Sequence, residues 1–213
     1  MRILFLVSMM TAALAQTPAL DFRGDRFKAL TYPELSPEQK AVADLVLSGK
    51  LQGGTGGPLN TLLRSPILAE SIARYGEYER FRVPIPEKLK ELSVLVTTRY
   101  WTAQFPWYAH HRAATQAGLS ETIAAAIAEG RRPTGMDADE TLVYNFTAEL
   151  LKTTEVRDQT FNAMKQRFGE RGVVEFIGLM GYYGIVAMAV NTDRYPLPAG
   201  VAAELKVLAN PLP

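Results

Sequence analysis

Apolar residues return every three or four positions along most of the chain, the spacing of helices that bury one face. No stretch alternates apolar and polar residues over the length of a strand, and no segment repeats at a fixed period. The pattern predicts an all-α protein. Ser36-Pro37-Glu38 opens a first helix, with a capping serine, proline at the first helical position and an acid at the positive helix end; it runs to about Ser48, before Gly49. Ser65-Pro66 starts a second helix through about Phe81, and a third runs from Glu87 to about Thr102, after Pro84 and Pro86. A helix around His110 ends at Gly118, and one from Ser120-Glu121 ends at Gly130. Asp137-x-x-Glu140 resembles a capping box for a helix through about Leu151, and another helix lies between about Asp158 and Phe168. The last, Val173 to Asn191, is apolar nearly all round, with Glu175 its only charge. Its uninterrupted apolar run, Phe176 to Val190, is short for a bilayer, which needs roughly 20 residues. A central buried helix is expected instead, with Gly178, Gly181 and Gly184 permitting close approach and Glu175 requiring a partner.

The two ends read differently from the middle. Arg2 followed by the apolar run Ile3 to Leu14 and by Ala13-Leu14-Ala15 has the form of a secretory signal peptide cleaved near Ala15-Gln16. The organisation expected is therefore a signal peptide over 1–15, an irregular arm over 16–35, a helical domain over 36–191 and a proline-rich tail over 192–213 lying along the body or on a neighbouring subunit. The protein is expected to be exported, to the periplasm or beyond, with no membrane attachment after cleavage. Loss of Arg2 with the leader changes 23 basic against 22 acidic residues to 22 against 22, and no block of like charge marks a nucleic-acid or membrane surface. The chain has no cysteine. That excludes disulfides, thiol nucleophiles, thiolate metal ligands and a lipidated cysteine.

The chemistry-bearing stretch is Glu91 to Gly118. It holds both histidines of the chain, His110 and His111, beside Trp101, Trp107 and Tyr108. At helical spacing His110 shares a face with Ala103, Pro106/Trp107, Ala114 and Ala117, whereas His111 lies about 100° further round. An imidazole held among aromatic groups is a candidate functional centre. Adjacent histidines diverge on a helix, so no metal site is expected. The run Gly53-Gly54-Thr55-Gly56-Gly57-Pro58 lacks the Gly-Lys-Ser/Thr of a phosphate loop and a preceding strand, and reads as a flexible loop able to line a pocket.

The segment Leu89-Lys90-Glu91-Leu92 through Gly118-Leu119-Ser120 resembles the carboxymuconolactone decarboxylase family, whose wider superfamily includes alkyl hydroperoxidase D. In the peroxidase branch, a glutamate is followed twelve positions on by Cys-x-x-Cys-x-x-x-His, then by an alanine and Gly-Leu-Ser. Here the glutamate falls on Glu91, the histidine on His110, and Ala114 and Gly118-Leu119-Ser120 also match, while the cysteine positions hold Ala103 and Pro106. Peroxidase chemistry is thereby lost. Trp107-Tyr108-Ala109-His110 is similar to the Trp-x-x-His run of the cysteine-free branch, and Gly172-Val173-Val174-Glu175 and Gly181-Tyr182-Tyr183 are also similar to pieces of such proteins. The resemblance implies an alkyl hydroperoxidase D-like helical bundle that assembles into a homo-oligomer. It also implies a cofactor-free lyase or isomerase acting on a small lactone, oxo acid or aromatic-derived acid.

Decarboxylation of an unsaturated lactone acid leaves electrons on the lactone carbonyl. The enzyme must stabilise that enolate oxygen and return a proton to carbon. His110 suits proton delivery, and Glu91 can orient the imidazole or act as base. Tyr108 can donate to the oxyanion and Arg99 can hold a substrate carboxylate; Trp101, Trp107 and His111 complete the expected substrate-binding set. Each has a plainer alternative: a core histidine, a helix-end partner, aromatic packing, a structural ion pair for Arg99, a subunit contact for His111. At the level of function, the alternative is an exported binding or structural protein that keeps the fold without catalysis.

Overall fold

The computed structural model describes residues 20–51 and 56–212; the expected signal peptide, its cleavage site, and Gly53, Gly54 and Thr55 of the glycine run lie outside them. Every regular element among the described residues is helical. After a 3-10 turn at Tyr32–Glu34 come α1 (Pro37–Leu47), α2 (Leu59–Leu62), α3 (Pro66–Phe81), α4 (Glu87–Tyr100), α5 (Gln104–Gln116), α6 (Glu121–Ala128), α7 (Ala138–Thr153) and α8 (Asp158–Asp193). Local signals act where the sequence places them. Ser36 accepts from the Gln39 amide, and Asp137 and Glu140 form a complete capping box. Ser65, by contrast, makes no side-chain cap. The two expected C-terminal helices are joined in α8 across a single non-helical residue, Gly169, at φ 72° and ψ 172°.

The helix buried on all sides is α4 rather than the apolar part of α8. Every residue from Leu89 to Arg99 is buried, and α5, α6, α7 and α8 surround the helix. Its polar side chains conceal this in the sequence, but the interior satisfies them. Ser93 and Thr147 hydroxyls pair at 3.0 Å, Thr97 and Thr98 donate to carbonyls one turn back, and Lys90 Nζ donates to the Arg80 carbonyl at 2.9 Å. The second half of α8 buries one face, including Phe176, Leu179 and Tyr183, and leaves Val174, Ile177 and Met188 in solvent. Glu175 finds its partners in the Tyr78 hydroxyl, at 2.7 Å, and Arg171, at 2.9 Å.

A smaller apolar cluster gathers Phe22, Leu35, α1, α2 and Ala69 of α3. The expected irregular arm is thus part of the packed body. Asp193, at the end of α8, pins it: its carboxylate accepts the amides of Arg26 and Phe27 at 3.0 and 2.8 Å and also contacts Asn60 and Thr61. The tail also lies along the body of its own chain, with Leu205 and Leu212 in the main core and Gln104 bonded to Leu205 through both amide atoms. Between the small cluster and the α4–α5–α8 bundle lies a chamber.

Candidate functional site

The turn after α4 is short, so α5 returns antiparallel beside it and brings Glu91 and His110 together. His110 Nδ1 and Glu91 Oε2 lie 2.7 Å apart, with both side chains largely buried. A carboxylate on Nδ1 fixes ring orientation and leaves Nε2 as the exchangeable position. Nε2 makes no hydrogen bond among the described residues. The ring packs edge-on against Tyr183, with centroids 4.6 Å apart at 80°.

His110 lines the chamber, whose volume is about 400 Å³, within the roughly 300–1,000 Å³ of small-molecule sites. The walls are mostly apolar: Leu59 and Leu62 of α2, Ile72 of α3, Phe105 of α5 and Val186 of α8 among them. Gly56 and Gly57 contribute backbone, as expected of a pocket-lining loop. The polar groups are few. Tyr183 lies beside the imidazole and Tyr182 beside Tyr183, Arg80 lines the chamber too, and Asp21 is already paired with Arg23 through both oxygens. Burial pushes the Tyr183 phenol well above its ordinary value, so at neutral pH it is a hydrogen-bond donor. Burial raises Tyr182 as well. Gly76 makes room for Tyr182: a Cβ there would fall 2.3 Å from the phenol oxygen. Arg80 has no ion-pair partner among the described residues; its guanidinium lies 5.0 Å from the Phe81 ring centroid, and its charge opposes the rise of both tyrosines.

On its other side His110 borders a second, smaller space of about 200 Å³. This vestibule is lined by Glu91, Glu79, Glu87, Lys90, Arg80 and Tyr183, among others. Glu87 is paired with Lys90 at 2.6 Å. Glu79 is 3% exposed, and its Oε2 is buried without a hydrogen-bond partner among the described residues. Burial, reinforced by the charge of Glu175 and opposed by Lys90, pushes its carboxyl up to about 7.

The remaining expected site residues lie elsewhere. Arg99 is 0% exposed, and its guanidinium donates to the carbonyls of Ala128 and Lys206 and to the Thr102 hydroxyl. Its donors tie helix ends and the tail together, so the expected carboxylate-holding role is replaced by a structural one. Trp107 is a core residue whose indole donates to Glu204 at 2.8 Å. His111 is flanked by Glu204 at 2.7 Å and Glu121 at 3.0 Å, fastening the tail to α5 and α6. Trp101 packs on the cluster of Ala103, Ala187, Val190 and Tyr195, and Tyr108 accepts from Arg112. None of these five lines the chamber. Sequence reasoning missed Arg80 and Glu79, for which helical spacing held no signal, and gave no role to Tyr182-Tyr183, although that pair was part of the resemblance. Among the described residues no three His, Cys, Asp or Glu side chains are grouped to hold a metal. No family model, curated protein or solved structure matches the chain.

Proposed function

We propose that this chain is an exported, cysteine-free protein of the carboxymuconolactone decarboxylase type: an alkyl hydroperoxidase D-like bundle acting as a homo-oligomer. Its reaction is a cofactor-free decarboxylation or isomerisation of a small lactone acid or oxo acid. The observation that carries this reading is the Glu91–His110 pair, 2.7 Å apart, whose imidazole stands on the wall of a mostly apolar chamber.

The chemistry follows from the groups at hand. The substrate's apolar body fits against the α2, α3 and α8 walls, and Arg80, unpaired among the described residues, takes its carboxylate in place of Arg99. As carbon dioxide leaves, charge moves onto the conjugated carbonyl. The Tyr183 phenol, kept protonated by burial, donates to that oxygen. His110, oriented by Glu91, delivers a proton to carbon. For an isomerase the same imidazole removes and returns the proton.

Carbon dioxide release and ultraviolet change with 4-carboxymuconolactone and related lactone acids test the reading, with wild type beside His110→Ala. Loss of at least about 100-fold in turnover is expected from removing a general acid–base, with helicity retained. A folded wild type that turns over none of these acids would remove the lyase reading and leave a binding protein.

A further inference from the structure

Three spaces adjoin one another, and a titratable side chain stands at each boundary between them. An open groove between α3 and α8 is lined by Tyr75, Tyr78, Glu79, Arg171 and Glu175. The vestibule comes next and shares Glu79 with that groove. The chamber follows and shares His110 with the vestibule. Glu79 and His110 thus line one space, and Glu91 lines it too while bonded to His110.

Decarboxylation of a carboxylate consumes one proton per turnover: R–CO₂⁻ plus H⁺ gives R–H plus CO₂. The proton ends on carbon, so the imidazole that supplied it must be recharged each cycle. The mostly apolar chamber wall, filled by substrate, is a poor route for that proton. The vestibule is a better one, because its 200 Å³ accommodates several waters at about 30 Å³ each and carries polar groups to hold them.

We propose that Glu79 is the proton reservoir of the site, recharging the Glu91–His110 pair by way of the vestibule. The carboxyl gives its proton through vestibule water to the imidazole nitrogen emptied by the reaction. It becomes a carboxylate and is reprotonated from the outer groove. Its surroundings suit a group that must both hold and release a proton. Oε2 has no hydrogen-bond partner among the described residues to fix its charge state, and Glu175 on α8 opposes ionisation. Lys90 on α4 favours ionisation, and its ammonium is itself held by Glu87 and the Arg80 carbonyl. Tyr75 and Tyr78 on α3 are committed to the Gly178 carbonyl and to Glu175. Glu79 acts through His110 and touches no substrate; it is a positioning residue for protons.

The inference rests on the lyase reading, so its test includes a readout that needs no turnover. The chain has two histidines, and their ring carbons can be followed separately by NMR against pH. In wild type the His110 signal responds to two ionisations, its own and that of Glu79 near pH 7. Glu79→Gln removes the second response. Glu175→Gln moves it to lower pH, because the like charge is gone, and serves where the first variant fails to fold. His111, outside the vestibule, is unmoved by either. In turnover, Glu79→Gln lowers kcat around neutral pH, where the carboxyl is still partly protonated, by at least about tenfold with KM unchanged, whereas at acid pH bulk protons replace the reservoir. Coupled titration without turnover on any lactone acid would support the reservoir and remove the lyase. Turnover with a His110 titration that neither variant alters would overturn the reservoir and leave the lyase.

Discussion

Arg80 and Arg99 carry the same charge in opposite circumstances. Arg99 lies in the interior with backbone carbonyls for acceptors, and burial lowers its pKa from the ordinary arginine value. Arg80 stands where the chamber meets the vestibule, and among the described residues it is paired with no carboxylate, although Glu79, Glu87 and Glu91 line the vestibule too. A guanidinium so placed lacks the anion that would complete it, and a substrate carboxylate supplies one. Arg80→Gln is therefore expected to raise KM for an acid substrate about 10- to 100-fold, the equivalent of one hydrogen bond to a charged group, with a smaller change in kcat. Helicity and the melting temperature should be nearly unaffected, since no ion pair is broken. An unchanged KM would place the carboxylate elsewhere. From the sequence alone Arg99 is expected to hold the carboxylate in a charge-assisted pair. What the spacing lacked was the tail, whose Lys206 carbonyl comes back over more than a hundred residues to occupy that guanidinium.

Helix ends were legible because their causes are local. A serine or aspartate cap, a proline at the first position and a glutamate three residues on act within one turn, and α1 and α7 begin where those residues stand. Which helix is innermost was not legible. Hydropathy favoured the second half of α8, whereas α4, with Lys90, Glu91, Ser93, Thr97, Thr98 and Arg99, is the one enclosed; Thr97 and Thr98 bond within α4, while Glu91, Ser93 and Arg99 find partners on other helices and on the tail. The Glu91–His110 contact has the same character: each residue's face was readable, but their meeting depends on the tight α4–α5 turn. The break in α8 is a clearer case of local necessity. Gly169 occupies a region of backbone space open essentially to glycine, and nothing stands where its Cβ would be. Gly169→Ala is therefore expected to cost about 1–3 kcal/mol through backbone strain alone, without a steric clash. Chemical denaturation would register this as a lower midpoint at unchanged slope. An unaltered midpoint would mean that α8 can straighten through residue 169 at no cost.

At the scale of the molecule, the outward face of α8 is the feature the single chain leaves incomplete. Among the described residues α8 is the one helix long and apolar enough to cross a membrane, with a mean hydropathy of 1.8 over its most apolar 18 residues, yet only 56% of that window is buried. Val174, Ile177 and Met188 remain 65%, 48% and 46% exposed, and their spacing of three and eleven residues sets them on one stripe. Exposed Gly181 lies in the same stripe and lets another backbone come close. Tyr183 lies about 180° away on the helix, so covering the stripe leaves the chamber wall untouched. A row of exposed apolar side chains on one face of a helix marks a contact surface, and the proposed homo-oligomer places another subunit there. Size-exclusion chromatography with light scattering should then give a multiple of the chain mass for wild type. Ile177→Glu, which inserts a charge at the middle of the stripe without touching the core, should shift the protein towards monomer with its helicity intact. If wild type runs as a monomer at micromolar concentration, or if the charged variant assembles as well as wild type, the stripe does not hold subunits together.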